Sequence, residues 1–363
     1  MRVLLTGAFG NVGQSALEAL LQRGHQVRCF DLRTRANERA AQKVLQRFPA
    51  QVEVLWGDLR QPEDVEKAVQ GQDVVVHLAF IIPKLSRTGR GSEDHPDWAW
   101  EINVGGTRNL LQAMAAQPAP PRILFTSSVH VYGRTQDRLP PRTVDDPLQA
   151  TEHYSRHKIA CEEMVRQSGL EWAIFRLAAC LPVRLILDPG MFDVPLDNRI
   201  EFVHRRDVGL AIAKAVECEE VWGRVWLIGG GPRCQFTYRD LVERVLGALG
   251  VGMLPEEAFA STPFAVDWMD TAESQRLLDY QHHTLDDYIR DMVQALGPWR
   301  HLIRAFRPLA RTYLLSRSPY LRQASREHAL RSRALERLSR AAGEVLAFCF
   351  RCLLVLRGSW ARG

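Results

Sequence analysis

The segment Thr6-Gly7-Ala8-Phe9-Gly10-Asn11-Val12-Gly13 constrains the fold of this chain more than any other feature. Arg2 to Thr6 before it reads as a buried strand, and Val12 to Arg23 after it as a helix with Leu17, Leu20 and Leu21 on one face. Gly7 permits a tight turn, Gly10 lets a ligand approach the backbone, and Gly13 allows the helix to pack closely. A strand, glycine turn and helix in this order aim the free N–H groups of the helix at an anion. That arrangement implies a dinucleotide pyrophosphate.

The rhythm continues. Gln26 to Asp31, Val52 to Trp56, Asp73 to Leu78, Arg122 to Ser127 and Glu171 to Leu177 read as further strands, with a long helix from Trp98 to Ala116. Alternating strands and helices imply right-handed crossovers and a parallel sheet covered on both faces. The polar stretch from Lys84 to Pro96 reads as a loop leaving the carboxyl edge of that sheet, where ligands bind. Past residue 177 the chain is irregular until a strand at Glu201 to His204, a helix at Asp207 to Glu217 and a strand at Arg224 to Ile228. Helices at Tyr238 to Leu249 and Leu285 to Leu296 close a small lobe. The expected organisation is therefore an α/β doubly wound domain over 1–177 with a return at 201–217. A substrate-binding lobe lies mainly in 178–297, and a basic helical extension in 298–363.

Charge separates that extension from the rest. From Arg300 onward there are fourteen arginines, no lysine and three acids, a surplus of eleven positive charges against +5 for all 363 residues; the body is thus net acidic by six. No run of eighteen apolar residues or secretory leader is visible, so a cytoplasmic location is expected. Seven unevenly spaced cysteines argue against a disulfide framework, and Cys349 and Cys352 read as packing residues rather than a redox pair. No metal-ligand set is expected.

Asp31 ends the second strand, eighteen residues past Gly13, where its carboxylate accepts hydrogen bonds from an adenine ribose and repels a 2′-phosphate. NAD is favoured; Arg33 and Arg35 keep NADP as the alternative. Asp58 and Leu59 follow the third strand, with Asp58 placed either against the adenine or as a cap for a helix starting near Pro62.

Tyr154 and Lys158 stand four residues apart, on one helix face. A tyrosine is a poor base at neutral pH, and an adjacent ammonium lowers its pKa. Ser128, twenty-six residues upstream at the end of the fifth strand, is suited to hold a substrate oxygen as charge builds on it. His130 shares a strand face with Ser128 and is read either as a substrate-side acid/base or as a lining histidine.

These residues, with His77-Leu78-Ala79, Asn103-Val104-Gly105-Gly106-Thr107 and Ser127-Ser128-Val129-His130-Val131-Tyr132-Gly133, resemble the extended short-chain dehydrogenase/reductase family, also called the NAD-dependent epimerase/dehydratase family. The resemblance covers residues 1 to about 297. It implies a Rossmann domain with Tyr154 as acid/base, Lys158 as its partner at the nicotinamide ribose, and Ser128 polarising the substrate. It puts Asn11 and Val12 along the pyrophosphate, Leu78 and Ala79 near the cofactor, and Asn103 in support of the active-site hydrogen bonds. Asp207 is expected to cap a helix. The implied activity is hydride transfer at a secondary alcohol or ketone, as a dehydrogenase or epimerase. The alternative is a non-catalytic NAD(P)-sensing or scaffold protein.

Two departures bear on substrate. Dehydratases of the family carry an acidic pair where this chain has Val129 and His130, which argues against sugar 4,6-dehydration. The stretch from Arg176 to His204 is also short for a nucleotide-diphosphate cradle, which favours a smaller or more apolar substrate. In the extension, Leu302, Ile303, Phe306, Leu309, Ala310, Tyr313 and Leu314 recur at helical spacing, with Pro308 as a kink. A second such stripe runs from Leu338 to Leu356. Peripheral membrane contact, docking on the body or in a homo-oligomer interface, and disorder are the readings open for it; nucleic-acid binding is not favoured.

Overall fold

The computed structural model describes residues 1–83, 90–183 and 189–321. The Cys349 and Cys352 pair, the Leu338 to Leu356 stripe and residues 84–89 of the Lys84 to Pro96 loop lie outside the described residues. The chain divides into two compact units.

The first unit comprises Met1–Pro182, Arg199–Gln235 and Ala265–Tyr288. Its centre is a seven-stranded parallel sheet of β1 (Arg2–Thr6), β2 (Gln26–Asp31), β3 (Val52–Trp56), β4 (Val74–His77), β5 (Arg122–Ser128), β6 (Trp172–Leu177) and β7 (Arg224–Ile228). The strand order is 3-2-1-4-5-6-7. Helices cover both faces of such a sheet, so its inner strands are apolar throughout: Val3, Leu4, Leu5, Val75, Val76, Ile123, Leu124 and Phe125 are all fully buried. The order reverses between β1 and β4, and the carboxyl ends of those two strands border the crevice used by ligands in this architecture.

The helices of this unit that matter to the site are α1 (Asn11–Gln22), α2 (Arg35–Arg47), α3 (Pro62–Val69), α4 (Pro96–Trp100), α5 (Gly106–Ala115), α6 (His153–Gln167) and α7 (Arg205–Val216). The long helix expected from Trp98 to Ala116 is divided: between α4 and α5, Glu101–Gly105 is wound as a π-helix. Such wide turns break the regular ladder and redirect a side chain, here Asn103. Helices α1 and α7 pack closely because Gly209 has no Cβ, which would lie 2.5 Å from the Ser15 carbonyl oxygen. The expected cap at Asp207 is corrected. His204 accepts from the Arg206 N–H and caps α7, whereas the Asp207 carboxylate accepts the N–H groups of His282 and His283.

The second unit comprises Val183–Asn198, Phe236–Phe264 and Ile289–Gly363. Helix α8 (Tyr238–Ala248) ends in a turn through Gly250 and Gly252, both at positive φ. Two later helices, Trp299–Ala305 and Arg307–Arg317, meet that turn. Arg307 Nε donates to the Val251 carbonyl at 3.0 Å and Arg311 Nη1 to the same oxygen at 3.1 Å. Arg307 and Arg311 of the basic extension thus bond carbonyl oxygens within this unit, and Tyr320 donates to the Asp193 carboxylate at 3.3 Å. Pro308 does not kink a helix. The chain breaks at Phe306, and the proline stands in the first turn of the next helix, where its missing N–H leaves no bond unmade.

Candidate active site

The glycine turn has the geometry its sequence requires. Gly7 sits at φ +67°, and a Cβ on it would come within 2.9 Å of the Ala79 backbone; a Cβ on Gly13 would come within 2.1 Å of the Gly7 carbonyl oxygen. Thr6 at the end of β1 gathers the turn to β4. Its hydroxyl oxygen accepts the N–H groups of Leu78 and Ala79, each at 3.2 Å, and lies 2.7 Å from His77 Nδ1. Burial holds His77 neutral, its pKa pushed down to about 3, with Lys158 adding to the shift. Asp31 reaches the same turn: its carboxylate accepts the Phe9 N–H at 3.0 Å and the Asn37 amide at 3.1 Å. Asn11 donates its amide to the Cys180 carbonyl at 3.2 Å, and Val12 begins α1 beside it. These glycines leave a cradle that side chains would fill, and the residues present fit a dinucleotide.

Asp58 does not cap α3. Its carboxylate is engaged by Arg60, through the backbone N–H at 3.0 Å and the guanidinium, and Gln61 precedes the helix instead. Leu59 is buried; a Cβ on Gly106 would come within 2.7 Å of it.

Tyr154 occupies the first turn of α6 and Lys158 the second, both buried. Burial pushes the Tyr154 phenol up, only partly offset by its hydrogen bond with the Ser128 hydroxyl, and the nearby Glu152 charge pushes the same way. The expectation that Lys158 acidifies Tyr154 is not met in this state. The ammonium donates to the Thr126 carbonyl at 2.6 Å and lies 3.4 Å from the centre of the Phe80 ring and 4.8 Å from that of Phe125. Its distance to the Tyr154 ring centre is 5.8 Å. Loss of hydration brings Lys158 itself down to about 7.

Asn103, turned inward by the π-helix, bonds the segment after β4 at both of its backbone groups. It accepts the Ile81 N–H at 2.7 Å and donates to the Ile81 carbonyl at 3.0 Å. Its amide nitrogen is also 3.2 Å from His157 Nδ1 on α6. His130 Nδ1 lies 3.0 Å from a Glu152 carboxylate oxygen, and its ring stands edge-on to Tyr154 with centres 5.5 Å apart.

Three contributors escaped the sequence reading. Phe80 follows Ala79 directly and touches both members of the pair: its ring centre is 5.8 Å from that of Tyr154 and carries Lys158 on its face. The glycine turn and the Tyr154 phenol are thereby joined through two consecutive residues. Glu93 accepts the N–H groups of His153 and Tyr154 at 3.2 and 2.9 Å, neutralising the amino end of α6 with a carboxylate. Glu162 pairs with Arg176 deep in the unit. Only Phe80 had a usable signal, its place next to the expected cofactor-side residues.

Comparison with known proteins agrees with this geometry. Residues 3–181 match the family model described as the NAD dependent epimerase/dehydratase family. Over those residues, just under half of its length, the chain is similar to that family. The match ends short of residue 297, where the sequence resemblance was drawn. Among curated relatives, the 3-beta-hydroxysteroid dehydrogenase of Mycolicibacterium neoaurum is 32% identical over 167 residues, 45% of this chain and 42% of the relative. The 3 beta-hydroxysteroid dehydrogenase/Delta 5-->4-isomerase of Mycobacterium tuberculosis is 34% identical over 175 residues, 47% and 44% of the two chains. UDP-glucose 4-epimerase 3 of Oryza sativa is 33% identical over 171 residues, 46% and 44%. The aligned part spans less than half the length of these three relatives. A solved UDP-glucose 4-epimerase from Bifidobacterium longum, in complex with NAD+ and UDP, superposes with a TM-score of 0.67 at 20% identity, covering 81% of this chain and 98% of that one. At that identity the likeness concerns the fold.

Proposed function

We propose that the protein is an NAD-dependent oxidoreductase that moves hydride at the carbon of an apolar secondary alcohol or its ketone, with a 3β-hydroxysteroid as the representative substrate. Phe80 is the observation that carries this reading: it contacts Tyr154 and Lys158 while its neighbour Ala79 closes against Gly7, so proton chemistry and dinucleotide cradle adjoin. The short stretch from Arg176 to His204 and the names of the first relatives favour a hydroxysteroid over a nucleotide sugar.

Gly7, Gly10, Asn11, Val12 and Gly13 would hold the pyrophosphate, Asp31 the adenine ribose and Lys158 the nicotinamide ribose. Bound there, NAD supplies the hydride acceptor or donor. Ser128 and Tyr154 would share the substrate oxygen. In the described state Tyr154 is a protonated phenol, so it acts as the proton donor to the oxygen of a ketone; in the reverse direction the phenolate takes the hydroxyl proton. Ser128 donates to the same oxygen and steadies the negative charge that develops on it.

The test supplies NAD and, in parallel, dehydroepiandrosterone or UDP-glucose. Reduced cofactor should accumulate with the steroid and in proportion to it. Conversion of UDP-glucose to its C4 epimer without accumulation of reduced cofactor would replace this reading with an epimerase. NAD binding without turnover of any secondary alcohol would leave the sensing or scaffold alternative.

A further inference from the structure

We propose that the first turn of α2 sets the choice between the two dinucleotides: Asn37 positions Asp31 to take the adenine ribose of NAD, and Glu38 withholds Arg33 from the 2′-phosphate of NADP. This inference rests on the reading of Asp31 as the holder of that ribose and deepens it, by naming what orients the carboxylate.

Asp31 is the last residue of β2, and a carboxylate at a strand end has several directions open to it. Donors from three places hold this one. Oδ2 accepts the Phe9 N–H of the glycine turn at 3.0 Å, while Oδ1 accepts the Leu32 N–H at 2.8 Å and the Asn37 amide at 3.1 Å. Of these three, only Asn37 gives a side chain. The same amide donates to the Leu32 carbonyl at 2.8 Å, so it ties the carboxylate to the backbone that follows β2. Asn37 is fixed in turn, because its backbone N–H donates to the Thr34 hydroxyl that caps α2, at 3.2 Å.

The chemistry of Asn37 points the same way. It is buried, and its amide oxygen has no hydrogen-bond partner among the described residues. An orphaned buried oxygen costs stability, and a leucine would occupy a similar volume without that cost. The amide is therefore placed for its two N–H bonds, one of which holds Asp31.

Arg33 is the cation that a 2′-phosphate would need, and it is already engaged. Its Nε donates to the Glu38 carboxylate at 2.8 Å. The two side chains are 71% and 37% exposed, so the pair is weak and screened by salt; it biases Arg33 without immobilising it. The two carboxylates thus act in one sense. Asp31 favours a ribose hydroxyl over a phosphate, and Glu38 competes with that phosphate for the guanidinium.

The experiment titrates the full chain with NADH and with NADPH by fluorescence, at low and high salt. The wild type should bind NADH more tightly. Asn37→Leu should lower NADH affinity by about tenfold and leave NADPH affinity within about threefold, which raises the ratio of NADPH to NADH affinity. Glu38→Gln should leave NADH affinity unchanged and raise NADPH affinity by about threefold at low salt, with the gain shrinking at high salt. Adding Arg33→Leu to Glu38→Gln should abolish that gain, and a gain that persisted would overturn the role given to Glu38. Equal losses for NADH and NADPH in Asn37→Leu, with the variant folded by near-UV circular dichroism, would make Asn37 structural and overturn its role. Should that variant not fold, Asn37→Ser is read by the same criterion. A ratio unmoved at both positions overturns this inference and leaves NAD binding standing. A wild type that binds neither dinucleotide overturns the reading of the cradle with it.

Discussion

Arg176 of β6 and Glu162 of α6 form a buried two-point ion pair, with Nε to Oε1 at 3.0 Å and Nη2 to Oε2 at 2.8 Å. Arg176 also donates to the Tyr132 hydroxyl at 2.7 Å. The pair fixes α6, the helix that carries Tyr154 and Lys158, to the sheet one turn beyond Lys158. Its geometry satisfies both charges, which a lone partner could not do in this setting.

Removing one member should therefore cost far more than removing a surface pair. Glu162→Gln is expected to destabilise the fold by about 3 kcal/mol in urea unfolding, whereas exchanging both residues for methionine should recover much of that loss. Equal stability of Glu162→Gln and wild type would show that the pair does not brace α6.

Gly13 tests the cradle. In Gly13→Val the added carbons meet the Gly7 carbonyl oxygen, so NAD affinity should fall by roughly a hundredfold or more and stability by about 1 to 3 kcal/mol. Isothermal titration and thermal unfolding measure the two effects. Undiminished affinity would mean that a dinucleotide does not use this turn.

Asp31 tests cofactor choice. Asp31→Ser removes a carboxylate that faces the glycine turn and leaves Arg33 and Arg35 nearby. The ratio of NADPH to NADH affinity should rise by about tenfold or more, read from fluorescence titrations. An unaltered ratio would place the ribose elsewhere.

Lys158 gives a pH signature. Its folded pKa, about 7, is below the value of an exposed lysine. Between those two values the unfolded chain binds the extra proton, so stability of the free protein should rise as pH increases through that window. Lys158→Met should lack this component. A wild type whose unfolding midpoint fails to rise relative to the variant from about pH 7 to about pH 10 would contradict the burial of the ammonium.

Local regularity made the fold legible. The bounds of β1, β2, β3 and β7 follow from apolar runs, and the alternation of strands and helices implied the parallel sheet. That Tyr154 and Ser128 meet, with Lys158 and Asn103 close by, was readable as spacing plus resemblance. Long-range electrostatics was not. Whether Lys158 faces the phenol or a carbonyl depends on Phe80 and Thr126, residues far from it in sequence, and a neighbouring cation was credited with an acidification that burial opposes. Arg176 was hidden for the same reason: a charge inside an apolar strand looks like an interruption until its partner on another element is known. Asp58 and Asp207 followed the general preference of aspartate for helix starts, yet each is taken by a nearby cation or by backbone N–H groups.

The most direct test of the central claim is Tyr154→Phe, assayed by cofactor reduction with a 3β-hydroxysteroid and by NAD titration on the same sample. The account predicts a loss of roughly a thousandfold in kcat, with NAD affinity reduced by less than about tenfold. Turnover within about tenfold of wild type would contradict it, because proton transfer would then not pass through this phenol.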